Sequence, residues 1–287
     1  MTTLSKKIDF AVIVTVQHAN PNGDPLTGNR PRVTYEGLGE ISDVAIKRKI
    51  RNRLMQMGKK IFVQSDDNRE EGDPHRSLLA RASKEIKADP KKEDEKYRKE
   101  ACAKWLDVRA FGQVFPIKGE TKGQGASIGI RGPVSIHNAF SVTKIENRMT
   151  SLQITKSVNT EGDGTKRSSD TMGMKHRVDH GVYVFYGAMN PQLASRTGFS
   201  DEDAEAIKQA LRTLFVNDAS SARPEGSMEV YKVYWWKHNN PNGQYSSAKV
   251  HRLLDVKATK DEPTNIEDYD ITLGTLDNLE CEVLDGE

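Results

Sequence analysis

Residues 18 to 35, HANPNGDPLTGNRPRVTY, gather the groups that hold a phosphodiester. Asn20, Asn22 and Asn29 offer amides, Gly23 and Gly28 let backbone approach a ligand closely, and Arg30 and Arg32 supply planar cationic forks. The stretch has the composition of a phosphate cradle but is not a P-loop, because GxxxxGK[ST] is absent and no Gly-rich turn runs straight into a helix. A long connector with solvated arginines would have the same composition without a ligand. NPNG recurs at 240 to 243, where ordinary turn chemistry accounts for it.

A second basic cluster follows. Lys47, Arg48, Lys49, Arg51 and Arg53 fall within seven residues, and residues 44 to 60 contain no acid. On a helix these cations occupy both shoulders of the apolar stripe, so their repulsion goes uncompensated unless an anion is present. Nucleic acid is the anion this density favours over a solvated face. A third cluster, Lys156, Lys166, Arg167, Lys175, His176 and Arg177, surrounds a Gly/Ser/Thr-rich tip with Met172 and Met174 as apolar wedges, in an arm that would fold over a strand or remain a disordered tip. Arg109 and Arg131 sit in strand-like segments, where a guanidinium needs a phosphate or a core carboxylate.

Catalytic patterns are weak. HRVDH spaces His176 and His180 as a helical zinc motif would, but its Glu is missing and the adjacent glycines oppose a helix. His18, His137 and Asp24 would make a nuclease site only if the fold gathered them, and Asp9 would act as a base only from a cleft. Cys102 and Cys281 show neither disulfide nor zinc spacing, and no cofactor or metal is expected.

The net charge of +2 conceals a segregation: 43 Lys and Arg face 41 Asp and Glu, but ten of the acids lie in residues 261 to 287, which hold no Lys or Arg. That acidic segment would contact basic protein surface, in this copy or the next, or be solvated. A mean hydropathy of −0.68, no apolar run near 20 residues and no signal-peptide core indicate a soluble, cytoplasmic chain away from membranes.

The elements that must position these groups follow from periodicity. IDFAVIVTV (8 to 16) is a buried central strand and 41 to 58 a helix capped by Ser42. Residues 64 to 104 form an exposed helical excursion poor in large apolar groups. Segments 105 to 115, 128 to 142 and 180 to 190 are strands, 199 to 215 is a helix capped by Ser200, and 228 to 238 an aromatic strand. The order strand, helix, strands, helix, strand matches the βαββαβ split motif and predicts one elaborated α+β domain.

In order and spacing, NPNGDP with NRPR, AIKRKIRNRL, LDVRAFGQVF, IRGPVSIHNAFS, ITKSVN through MGMKHRVDHGVYVFYG, and SSAR at 220 to 223 cover nearly the whole chain. So placed, the sequence resembles the crRNA-backbone subunit of type I CRISPR Cascade complexes, most closely the type I-C form. The resemblance implies an RRM-like (ferredoxin-like) palm with a helical finger insertion within 60–125 and a β-hairpin thumb over 148–180. It implies copies stacked along crRNA, target DNA met through the guide, and partners in the crRNA-processing or capping, large and small subunits. No catalytic activity is implied. The expected RNA contacts are Asn20, Asn22, Gly23, Arg30, Arg32, Lys47, Arg48, Lys49, Arg51, Arg131, Lys156, Met172, Lys175, His176 and Arg177. The alternatives are a metal-dependent ribonuclease of the type III backbone kind, with Asp24 as its loop aspartate, and a general single-stranded nucleic-acid binder.

Overall fold

Every residue from Phe10 to Ile13 is fully shielded from solvent, so the first strand must be covered on both faces and paired on both edges. The computed structural model, describing residues 2–66, 68–117, 126–156 and 171–287, builds the fold around that strand. In chain order the elements are β1 (Ile8–Ala19), β2 (Gly23–Asp24), β3 (Arg30–Pro31), β4 (Leu38–Ile41), α1 (Asp43–Gln56), α2 (Leu78–Glu85), α3 (Asp94–Lys104) and α4 (Leu106–Phe111). They continue with β5 (Gly112–Ile117), β6 (Ala126–Arg131), β7 (Val134–Ile136), β8 (Ala139–Lys144), β9 (Met149–Lys156), β10 (Thr171–Met189), α5 (Pro191–Thr197) and α6 (Asp201–Arg212). The last are β11 (Met228–Lys237), α7 (Ser247–His251), β12 (Leu254–Ala258), β13 (Tyr269–Leu273) and β14 (Cys281–Asp285).

The main sheet runs β14-β11-β1-β10-β8-β4, with antiparallel neighbours throughout. Phe10, Val12, Val14 and Val16 face a helical layer in which Ile46, Ile50 and Leu54 of α1 meet Ala204, Ile207 and Leu211 of α6. Ala11 and Ile13 face the other way, onto Val250, Leu254 and Tyr269 of the C-terminal layer. Both principal helices begin where the sequence predicts. The Ser42 hydroxyl accepts from the Ala45 amide at 3.3 Å, and Ser200 and Asp203 form a reciprocal capping box.

Two expectations need correction. Segment 105 to 115 is not one strand: Leu106–Phe111 is helical and β5 begins at Gly112. The alternation of Leu106, Val108 and Ala110 mimics a strand, yet Asp107 is turned inward to accept from the backbone amides of Phe62 (2.7 Å) and Val63 (3.0 Å). Gly112 makes the junction with φ +82, where a Cβ would lie 2.3 Å from the Ile130 carbonyl oxygen. Second, the excursion has its own core. Phe62, Trp105 and Phe115, lying at or beyond its edges, pack their rings together at 4.6 and 5.2 Å and are joined by Ala82, Ile86, Tyr97 and Ala101 of the interior. The acidic C-terminal segment meets basic surface of its own copy in part: β14 completes the sheet edge, Asp285 meets Lys232 at 2.6 Å and Glu282 meets Lys208 at 2.9 Å, while most of its acids stay exposed.

Arg109 finds a core carboxylate, forking onto Asp203 through two bonds of 2.7 Å. Asp107, 1% exposed, also accepts from Arg51 Nε at 3.0 Å and so ties the excursion to α1. Replacing Asp107→Asn turns an acceptor of three N–H groups into a partial donor and strands a mostly buried guanidinium. The expected loss is about 3 kcal/mol in urea unfolding, and a loss below about 1 kcal/mol, the scale of an exposed pair, would contradict this role.

Candidate nucleic-acid interface

β1 ends at Ala19, which pairs with Val178 of β10, so the opening loop leaves the sheet beside the base of the β9–β10 arm. The loop is locally over-determined. β2 and β3 pair across it, Asp24 accepts from the Leu26 amide at 3.1 Å, and Gly28 and Asn29 turn the chain at φ +66 and +63. Asn20 Nδ2 donates to the Asn29 carbonyl at 2.7 Å. Gly23 serves the loop itself, since a Cβ there would lie 2.0 Å from Asn29 Oδ1. Asn22 Oδ1 accepts from both the amide (2.9 Å) and the hydroxyl (3.0 Å) of Ser42, which fixes the loop to the start of α1.

These constraints form one wall of a cleft of about 580 Å³. Asn22, Gly23 and Asn29 come from the loop, Arg48, Lys49 and Asn52 from α1, and Asn217 to Ser220 with Arg223 from the loop after α6. That last loop docks by an amide of Asn20 donating to the Ala222 carbonyl at 2.9 Å. Arg48 is exposed at the mouth. Sequence reasoning brought Asn22, Gly23, Arg48 and Lys49 to this place and missed Asn52, Asn68, Asn217, Asp218 and Arg223. The SSAR segment, with Arg223 at its end, was the available signal for the last of these.

The repulsion expected on α1 is compensated by carboxylates from elsewhere in the chain and from its own first turn. Lys47 pairs with Asp43 at 2.8 Å and Arg51 with Asp107. Arg53 Nε donates to Thr213 Oγ1 at 2.6 Å. Lys49 is 7% exposed, bonded to Asp218 and placed 5.3 Å from the centre of the Phe215 ring. Burial pulls its ammonium down to about 8; Asp218 opposes that shift, while the nearby Arg223 and Arg48 add to it.

The remaining candidates lie outside the cleft. Arg30 is exposed, and Arg32 lies 3.7 Å from Asp24. Arg131 is exposed at the end of β6, which pairs only with β5 among the described residues. On the arm, Met172 and Met174 are 60% and 55% exposed and Lys175 is exposed, whereas His176 is buried against the Ser151 hydroxyl at 2.7 Å. Arg177 Nε donates to Asp179, 3.0 Å away. The side chain of Lys156, and Lys166 and Arg167 entirely, fall outside the described residues. A second cleft of about 720 Å³ lies between the arm's base and residues 258 to 264, with Arg148 and His180 in its lining.

The alternative catalytic groupings do not assemble. His176 and His180 lie on a strand, and among the described residues no three His, Cys, Asp or Glu side chains cluster to hold a metal. His18 reaches Asp179 at 3.4 Å while His137 packs on His251 with ring centres 5.6 Å apart. Asp9 is fully buried against Lys7 (3.0 Å) and His238 (2.8 Å), so it faces no cleft.

The family model described as CRISPR-associated protein Cas7 matches residues 6–274. A curated CRISPR-associated protein Cas7 from Haloferax volcanii is 26% identical over 268 residues, which is 89% of this chain and 76% of its own length. Among solved structures, a chain of a CRISPR RNA-guided surveillance complex in a pre-nicking state is similar with TM-score 0.46 and 16% identity, over 80% of this chain and 78% of that one. A chain of another CRISPR RNA-guided surveillance complex gives TM-score 0.41 and 18% identity, over 80% and 68%.

The lowered ammonium of Lys49 sets a pH signature. Between about pH 8 and its ordinary 10.5, the unfolded chain keeps a proton that the folded chain has released, so this group's contribution to stability rises with pH across that window. The unfolding free energy of the wild type is expected to gain on that of Lys49→Met between about pH 8 and pH 10. A difference that stays flat or falls would mean that Lys49 keeps its charge on folding.

Proposed function

The chain belongs to the CRISPR-associated protein Cas7 family, and from that premise we propose that it is a non-catalytic, cytoplasmic RNA-binding scaffold that oligomerises along crRNA in a type I-C Cascade surveillance complex. One observation carries the reading: the opening loop, α1, Asn68 and the loop after α6 meet in a cleft whose charged and amide groups suit a phosphodiester backbone. Arg48 and Arg223 would neutralise phosphates, and the amides of Asn22, Asn29 and Asn52 would meet phosphate or ribose oxygens. None of these contacts reads a base. A subunit that must hold any guide sequence needs that indifference, leaving recognition to pairing with target DNA.

Strand order supports the finer fold reading. β11-β1-β10-β8, with α1 after β1 and α6 after β10, is the antiparallel arrangement of an RRM-like palm. On that frame, residues 60–125 would serve as fingers and 148–180 as a thumb. The exposed Met172 and Met174 suit a wedge between guide bases, with Lys175 beside them for phosphate. Lys49 and Arg51 would act indirectly, by holding the cleft's walls in place. The crRNA-processing or capping, large and small subunits are the partners this role requires, along with further copies of the chain. No described helix is long and apolar enough to cross a membrane.

The test is charge reversal confined to groups that do not brace the core. Arg48→Glu with Arg223→Glu should abolish co-purification of guide RNA from a folded protein. It should also flatten the dependence of log K on log salt for single-stranded RNA by about 1.4, two phosphates at about 0.7 each. Full guide recovery and an unchanged slope would remove this cleft from the RNA path.

A further inference from the structure

Asp218 is the one carboxylate among the described residues lining the cleft, and it sits between two of the cleft's cations. Its Oδ2 accepts from Lys49 Nζ and lies 3.4 Å from Arg223 Nε. The loop that carries it is held firmly. Asn217 turns at φ +58, the Asp218 amide donates to the Phe215 carbonyl at 3.2 Å, and Ser220 and Arg223 exchange backbone bonds of 2.8 and 3.1 Å. A carboxylate so fixed between two cations is a built feature of the cleft.

We propose that Asp218 is an internal stand-in for a guide phosphate, neutralising Lys49 and Arg223 in the RNA-free protein and yielding Arg223 to the phosphodiester when RNA binds. The inference rests on the cleft being the RNA site and adds to it a residue that sets selectivity. The two cations differ in how readily they can change partner. The Lys49 side chain is 8% exposed and enclosed by its carboxylate and the Phe215 ring, so it stays. The Arg223 side chain is 28% exposed, and its bond to Asp218 is at the long limit for a hydrogen bond. An entering phosphate would therefore meet Arg48 and Arg223 together while being repelled by Asp218. A cleft in which Lys49 and Arg223 lacked this carboxylate would hold any passing polyanion. The carboxylate lowers that indiscriminate affinity, so that stable binding needs a strand that also engages the loop and the arm.

The experiment compares full-length wild type, Asp218→Asn and Arg223→Glu in binding to a short single-stranded RNA of unrelated sequence across a salt series. Asp218→Asn should bind about threefold to tenfold tighter near physiological salt, with log K against log salt steeper by about 0.7, one additional phosphate neutralised. Unchanged or weaker binding by a folded Asp218→Asn, with Arg223→Glu still weakening it, would overturn the stand-in while leaving the cleft as the RNA site. Should Arg223→Glu leave affinity and slope untouched, both readings fall. Because Asp218→Asn strands a buried ammonium, the comparison is repeated in a Lys49→Met background, where the same asparagine should again tighten binding. Absence of tightening there would also overturn the proposal.

Discussion

A buried cation needs an anion, and much of this molecule is arranged around satisfying that need on one helix. α1 turns five basic side chains toward its surroundings while its own sequence supplies a single carboxylate, Asp43, in the first turn. The neighbours supply the others. Asp107 arrives from the inserted helical unit and Asp218 from the loop after α6, each reaching a cation that is mostly buried. Losing either partner leaves a charge in a poorly solvated place, which costs far more than an exposed pair would return. The same contacts that neutralise α1 therefore fix the inserted unit and the 217 to 223 loop against it. The walls of the cleft are a by-product of that electrostatic requirement.

The sheet supplies the other half of the geometry. β1 is shielded on both faces, so its amides and carbonyls must be paired along both edges, by β10 and β11. β10 runs on past the sheet to form one strand of the arm, and the opening loop leaves β1 at the point where that extension begins. Loop, helix and arm base are thus neighbours because one strand needed two partners. On the far edge β14 pairs with β11, and its carboxylates meet Lys208 and Lys232. Acid segregated in the sequence is reunited with base in the fold.

Periodicity made the scaffold legible. Ile8 to Val16, the Ser42-capped helix, the Ser200-capped helix and the aromatic strand could be placed because each pattern is local and strongly repeated. What escaped was whatever depends on contacts across the chain. The 106 to 111 helix has the alternation of a strand, and only the turn of Asp107 into two backbone amides distinguishes it. The inserted unit reads as an exposed excursion because three of its four packed aromatic residues, Phe62, Trp105 and Phe115, stand at or beyond its borders. At the site, the loop and α1 were legible as dense clusters, while Asn52, Asn217 and Asp218 are single polar residues whose meaning comes from who sits opposite.

That difference bears on how basic density should be interpreted. Counting cations along α1 suggests five groups offered to a polyanion, but three of them, Lys47, Lys49 and Arg51, are engaged with carboxylates, and Arg53 with a threonine hydroxyl. A cation committed to a buried carboxylate contributes little outward potential, because the pair is nearly neutral at the distance of a ligand. Arg48 alone among the five is exposed at the cleft, and Arg223, absent from the basic clusters, faces it across Asp218. The surface a nucleic acid would sense is therefore set by which cations the fold leaves exposed at the cleft, and only secondarily by how many the sequence contains. In this chain most of the dense cluster builds the wall, and Arg48 together with Arg223, brought to it from elsewhere, gives the wall its charge.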